Sequence, residues 1–348
     1  MPTRLPACPA AIHLNRALNS VEKGGAVVRE SDEVREVTKD HLRLLARVAR
    51  MYHEQGIRQP EIAAALNISQ PRVSRLLKEA VTRGLVRTVV TLPDGVHTEL
   101  EEELERRYGL RDAVVVDVED FQDDVIPPLA TAAAAYLDVT FTGGDVIGLA
   151  AWSRTLQAVV KHLPQKNVQA AERVMQLVGG LGRAAEQVHA TRLIARLADL
   201  TYAHPVFVPL PGVVATAAIR EALLQDPDLA EVQAQWRDLT VALVGIGSTE
   251  PAPTGGDIPI NQAGQDELRA LGAVGEVCLH VFDATGKPVA SSLDQRVIGI
   301  DAATFRAVGR RIGVAGGLRK LPAIKAAIEG GWVNILITDL RVARRLCR

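Results

Sequence analysis

Aromatic residues are scarce, with phenylalanine, tyrosine and tryptophan together making up 3% of the chain. Any core must therefore be built mainly from alanine, valine, leucine and isoleucine. Cysteine is nearly absent too. Cys8, Cys278 and Cys347 lie far apart and form no CxxC pair, which argues against a disulfide framework and against a zinc module. No metal and no cofactor is expected. No apolar run reaches the roughly 18 residues that a membrane span needs, so no membrane partner is expected either. Pro2, Pro6, Pro9, His13 and Asn15 interrupt the N-terminus and leave no apolar stretch of the kind a signal peptide carries. The expected location is a reducing cytoplasm. Charge of one sign is also missing, because the formal net charge is −1. The chain as a whole is not a polyanion binder by bulk charge.

The rest of the composition is that of a globular protein, with 47% hydrophobic and 23% charged residues. At roughly 150 residues per domain, 348 residues suggest two domains. Charge is distributed unevenly between them. Residues 39–90 hold ten lysines and arginines against four acids, a local excess of six that leaves −7 on the remainder. A basic module joined to an acidic one suits a nucleic-acid reader with a second task.

Residues 1–38 carry prolines and mixed charge without clean periodicity and read as a flexible leader. Residues 39–92 read as a helix-turn-helix DNA-binding domain. Leu42, Leu45, Val48, Ala49 and Tyr52 recur at three- and four-residue steps, and Gly56 ends that helix. A second helix starts at Gln59-Pro60-Glu61, with Pro60 suited to a first turn. After the turn Asn67-Ile68-Ser69, with Ser69 as N-cap, a third helix runs from Gln70 to about Arg83 and stops at Gly84. Leu85–Leu92 could form a short strand or wing. The spacing fits the motif: Ala63 is the small residue of the middle helix, Ile68 plugs the corner, and Val73, Leu76 and Leu77 face inward. Gln70, Arg72, Ser74, Arg75 and Lys78 are left on the outer face of the third helix. Such residues reach base edges and phosphates in the major groove. Arg75 is suited to a guanine and Lys78 to a phosphate. Double-stranded operator DNA is the expected partner.

Residues 93–110 contain an acidic helix, Thr98–Tyr108, with a thin stripe of Leu100 and Leu104, and read as a linker. From 111 to 348, strand-like runs (113–118, 145–149, 173–178, 240–246, 277–282, 333–337) alternate with alanine-rich helices such as 128–139, 186–199 and 320–329. The alternation predicts an α/β domain around a doubly wound parallel sheet.

Five phrases in this second half, QLVGG (176–180), VGIGS (244–248), GAVGEVCLHVFDATG (272–286), VAGGLRK (314–320) and NILITD (334–339), occur in order after VSRLLKEA (73–80). Together they resemble the SorC family of bacterial sugar-responsive regulators, over roughly residues 40–348. The resemblance implies a sugar-binding domain similar to sugar-phosphate isomerases and deaminases. It also implies a homo-oligomer, a dimer or tetramer, and control of a carbohydrate operon by a phosphorylated sugar or polyol.

The residues themselves support an anion pocket. Ile147-Gly148 closes a strand, and Trp152-Ser153-Arg154-Thr155 opens a helix. A strand-to-helix turn offers backbone N–H groups and the positive end of a helix dipole. Ser153 and Thr155 add hydroxyls and Arg154 adds charge, although Ala150 and Ala151 depart from the family's more glycine- and serine-rich turn. The resemblance further implies that Lys320, after Gly316-Gly317, contacts the ligand and that Glu276 binds sugar hydroxyls. Gly179 and Gly180 would let backbone approach the ligand, or serve equally as strand-end turns. Gln187 and His189 could line the pocket or simply occupy a polar helix face. Asp339 is expected to fix a turn. Two other functions remain open. One is a sugar-phosphate isomerase or deaminase fused to a DNA reader, although no general acid and base pair presents itself and no catalytic residue is assigned. The other is a scaffold whose second half only oligomerises.

Overall fold

The computed structural model describes residues 29–86, 95–118, 124–181, 184–250 and 260–348. The chain divides into two compact units, Met1–Thr91 and Leu92–Arg348. The expected leader up to residue 28, and the expected wing from residue 87 onward, lie outside the described residues; the rest of the expected leader, residues 29–38, is corrected, because it forms the start of a helix, Arg29–His53.

Among the described residues the first unit has three helices: α1 (Arg29–His53), α2 (Gln59–Leu66) and α3 (Gln70–Thr82). Leu45 and Val48 of α1, Ile62 of α2 and Val73, Leu76, Leu77 and Ala80 of α3 form one buried cluster. Pro60 sits in the first turn of α2, where the missing N–H has no helical acceptor to lose. The Glu61 carboxylate accepts the Arg58 backbone N–H at 3.1 Å. At the corner Asn67 adopts the left-handed conformation, φ 51°, which asparagine tolerates better than most residues. That reversal lets the Ile68 N–H donate to the Ala63 carbonyl at 3.0 Å, while the Ile68 side chain packs on the cluster. Gly84, φ +70°, follows the end of α3.

The second unit contributes α4 (Thr98–Tyr108), β1 (Asp112–Val116), α5 (Ile126–Thr140), β2 (Val146–Leu149), α6 (Arg154–His162), β3 (Arg173–Gln176), α7 (Ala184–Thr201), β4 (His204–Val206), α8 (Ala217–Leu223), α9 (Pro227–Gln235), β5 (Val241–Gly245), β6 (Gly247–Ser248), α10 (Gln262–Ala270), β7 (Ala273–Val277), β8 (His280–Asp283), α11 (Ala302–Ala307), β9 (Arg310–Val314), α12 (Leu321–Glu329), β10 (Ile335–Asp339) and α13 (Leu340–Leu346). Seven strands form one sheet in the order β1-β10-β9-β5-β2-β3-β4, and every described pairing in it is parallel. The central strands β2 and β5 are apolar and almost wholly buried, as expected of a sheet covered on both faces. Strand β4 lies at one edge with Pro205 at its centre, a residue that edges tolerate because it has no N–H to leave unpaired. The expectation of a linker over 93–110 is corrected, because helix α4 belongs to this unit. Leu104 is fully buried in its core, and the Glu101 and Glu105 carboxylates accept backbone N–H groups from Val115 and Ala113 in β1.

A second sheet, β6-β7-β8, is antiparallel. Here the expectation of one strand over 277–282 is corrected. The chain reverses at Cys278 and Leu279, both at positive φ (53° and 64°), in a two-residue hairpin turn. The apolar run hid the reversal because the turn residues are cysteine and leucine rather than the usual asparagine and glycine.

Several of the few aromatics meet in the core. Trp332 is fully buried, with Phe282 and Phe305 at centroid distances of 5.6 and 6.3 Å, and its indole N–H donates to the Gly286 carbonyl. Beneath the N-terminal ends of the strands, buried Asp145 accepts the Thr142 N–H (3.0 Å) and the Thr240 hydroxyl (2.9 Å), and pairs with the Arg310 guanidinium. Arg310 also donates to the Thr140 carbonyl at 2.9 Å.

Candidate DNA-reading surface and effector site

On α3 the four buried residues fall on one side, and Gln70, Arg72, Arg75 and Lys78 are exposed. At about 100° per residue, Arg75 and Lys78 lie opposite the buried stripe, Gln70 and Ser74 on one flank and Arg72 on the other. Ser74 is half-buried. Ser69 occupies the N-cap position, but its hydroxyl makes no capping bond; its carbonyl accepts the Arg72 and Val73 N–H groups. One contact had no sequence signal. His41 Nε2 of α1 lies 2.9 and 3.0 Å from the two carboxylate oxygens of Glu79, and Arg83 Nε lies 2.7 Å from one of them. The hydrogen bond from His41 heads the causes that hold the Glu79 carboxyl below its ordinary value. The tie fixes α3 against α1 and offsets the acid that the outer face would otherwise carry.

In the second unit the strand order reverses between β2 and β5. Crevices beyond the carboxyl ends of strands at such a switch point are where open α/β sheets bind ligands. Past β2, Ala150 and Ala151 are buried and Trp152 is half-buried against the core. Ser153 caps α6, its hydroxyl accepting the Leu156 N–H at 3.3 Å, so its own proton remains available to donate. Thr155 is half-buried and Arg154 exposed in the first turn. Past β5, Gly245 lies close enough to Ser153 that an added Cβ would stand 2.9 Å from its Oγ. Lys320, half-buried after β9, donates from Nζ to the Ile246 carbonyl at 2.8 Å. Glu276 of β7 is 3% exposed and pairs with Gly247 across the small sheet. Its Oε2 accepts the Leu279 N–H at 2.8 Å, and a Cβ on Gly247 would meet its Oε1 at 2.1 Å. The fold thus brings Ser153, Lys320 and Glu276 together around residues 245–247.

Gly179 and Gly180 follow β3 and meet another stretch of chain. Their N–H groups donate to the Ile298 and Leu210 carbonyls at 3.0 and 2.9 Å. A Cβ on Gly179 would stand 2.4 Å from the Leu210 oxygen, so close backbone approach demands glycine there. His189 is exposed on α7, and the Gln187 side chain lies outside the described residues. Asp339 fixes two turns. It accepts the Gly317 N–H at 2.6 Å and caps α13 through the Arg341 and Val342 N–H groups. Nearby, burial and the Glu276 charge push the Cys278 thiol well up. Arg319 escaped sequence reasoning. Its Nη1 donates to the Glu250 carbonyl at 2.9 Å. Only its place beside Lys320 could have drawn notice.

Comparison with known proteins agrees with both halves. The sequence profile of the Sugar-bind family, a sugar-binding domain, matches residues 95–348, and that of the MarR family matches residues 37–95. The deoxyribonucleoside regulator of Bacillus subtilis is 30% identical over 88% of this chain and 98% of its own length. The erythritol catabolism regulatory protein EryD of Brucella abortus is 31% identical over 87% and 96%. The crystal structure of the full-length sorbitol operon regulator SorC from Klebsiella pneumoniae superposes with a TM-score of 0.68 at 27% identity, covering 89% of this chain and all of that one. With a DNA-binding helix-turn-helix joined to a sugar-binding domain, the chain belongs to the SorC family of sugar-responsive transcriptional regulators.

Proposed function

We propose that this regulator senses a phosphorylated sugar or polyol at the crevice beyond β2 and β5 and controls a carbohydrate catabolic operon from the cytoplasm. The carrying observation is the convergence of Ser153 at the α6 N-terminus and Lys320 on Gly245 and Ile246. A helix N-terminus with an adjacent cation suits a phosphate. Trp152, Arg154 and Thr155 complete this anion end, Glu276 accepts sugar hydroxyls, and Gly179 and Gly180 shape the neighbouring wall. Relatives named for sorbitol, erythritol and deoxyribonucleosides support a small polyhydroxylated ligand. Sensing fits better than turnover, since Glu276 and Asp339 each commit carboxylate oxygens to backbone N–H groups. On DNA, Gln70, Arg72 and Arg75 read base edges, while Ser69, Ser74 and Lys78 hold phosphates. The protein works as a homo-oligomer, dimer or tetramer, whose DNA-reading heads are respaced when ligand binds.

A thermal-shift panel of free and phosphorylated sugars and polyols on the full chain tests this reading, because a ligand that binds only the folded state raises Tm. One phosphorylated compound should act, and Lys320→Ala should remove its effect while leaving operator affinity intact. A response to free sugars alone would refute the anion end. Silence across the panel would favour a scaffold without a sugar signal.

A further inference from the structure

The inference that follows rests on the anion end proposed above and extends it to a residue outside that set. Arg319 and Lys320 are consecutive in a 3-10 turn, Leu318–Lys320, that follows β9. Neighbouring side chains in such a turn diverge by about a third of a revolution. Both nevertheless reach one short stretch of chain: Lys320 Nζ donates to the Ile246 carbonyl (2.8 Å) and Arg319 Nη1 to the Glu250 carbonyl (2.9 Å). That stretch carries the chain out of the parallel sheet and into the antiparallel one. Gly245 ends β5, and Gly247 and Ser248 pair with β7. The Thr249 N–H donates to the Val274 carbonyl and its hydroxyl to the Ala273 carbonyl. Ser153 beside Gly245, Lys320 at Ile246, Glu276 over Gly247 and Arg319 at Glu250 therefore follow one another along six residues.

We propose that Arg319 is a second cation of the effector site, and that an anionic group bound there competes with the Ile246 and Glu250 carbonyls for Lys320 and Arg319. An ionised phosphate oxygen is the stronger acceptor, since it adds the attraction between opposite full charges that a neutral carbonyl oxygen cannot offer a cation. A guanidinium can also engage two phosphate oxygens at once. Binding then loosens the connection between the two sheets, so ligand occupancy becomes a displacement of β6, β7 and β8. The differential contact that a population shift requires is thereby supplied by the ligand itself.

The test titrates the full-length protein with inorganic phosphate, following Tm and amide hydrogen exchange. Arg319→Ala is expected to weaken phosphate about tenfold, and Arg319→Lys, which keeps the charge but not the fork, to fall between. Phosphate should raise exchange at the Thr249 and Glu250 amides in the natural protein. Arg319→Ala should raise it without phosphate. Equal phosphate affinity in the natural protein and Arg319→Ala would overturn the role of Arg319 and leave the anion end standing. Phosphate binding that leaves exchange at those amides unchanged would overturn the competition. No phosphate response in the natural protein would overturn the anion end and this inference together.

Discussion

Replacing Gly247 by alanine should be costly, and the cost can be built from the contacts. A Cβ at this position would stand 2.1 Å from Glu276 Oε1, 2.8 Å from its Cδ and 2.9 Å from its Cγ. The end of a glutamate normally swings aside cheaply, but Glu276 is 3% exposed and its Oε2 holds the Leu279 N–H at 2.8 Å. Clearing the new methyl takes the carboxylate off that donor. Leu279 is itself buried in a turn at positive φ, so its N–H is left unsatisfied, at about 1–3 kcal/mol. Overpacking adds about 1–3 kcal/mol. A loss of about 3 kcal/mol corresponds to a fall in Tm of about 6–12 °C for a unit of this size. Thermal and urea unfolding of the full chain measure it. Gly309→Ala is the control, since nothing lies within 4 Å of its added Cβ, and it should be neutral or slightly stabilising. Truncating the obstacle gives the sharper check. On a Glu276→Ala background Gly247→Ala should cost about 2 kcal/mol less than in the natural protein. Strict additivity of the two changes would refute the clash as the cause.

Three further outcomes follow from other parts of the molecule. Arg75→Ala, an exposed change on α3, should leave Tm unaltered and weaken operator binding by about 1–3 kcal/mol, whereas Lys78→Ala should weaken all sequences alike and lower the salt slope by about one; unchanged anisotropy titrations would count against both. Although burial works to raise it, bonds from Arg310, Thr142 and Thr240 hold the Asp145 carboxyl below its ordinary value. Its stabilisation is therefore complete above the unfolded value of about 3.9 and is lost as pH falls through the lower folded one. The stability gap between the natural protein and Asp145→Asn should stay constant above about pH 5 and narrow below about pH 4, and a gap that ignored pH would contradict the assignment. Thr338 is fully buried and its hydroxyl has no partner, so Thr338→Val, which keeps the shape, should raise stability by about 1 kcal/mol; a lower Tm would show that the hydroxyl contributes.

The helix-turn-helix was legible in the sequence because its determinants are local. Pro60, Ala63, Ile68 and Gly84 act through their immediate neighbours, and a 3.6-residue period sorts α3 into a buried stripe and a basic face. The parallel sheet was legible for a related reason, since strands buried on both faces read as unbroken apolar runs. Ser153 as the cap of α6 belongs with them. Strand β9 was not legible, because it opens with two arginines, and the acid that pairs with Arg310 lies far away in sequence. Arg310 meets Asp145 and Thr140 across the sheet, and Arg311 donates to the Arg306 and Val308 carbonyls. Strand β4, only three residues long and mostly exposed, carries too little pattern to announce itself.

The sequence by itself determined the division into two units, the candidate DNA-reading face and the candidate anion-suited turn, each an outcome of residue type at short spacing. Only the tertiary structure decided how the candidate site is put together. It placed the reversal of strand order between β2 and β5, and it brought Lys320 and Arg319 to carbonyls some seventy residues away. It also set Glu276 over Gly247 and bound Gly179 and Gly180 to other chain segments. Strand order depends on which apolar edges find each other once the chain is closed, and no short-range pattern encodes that choice.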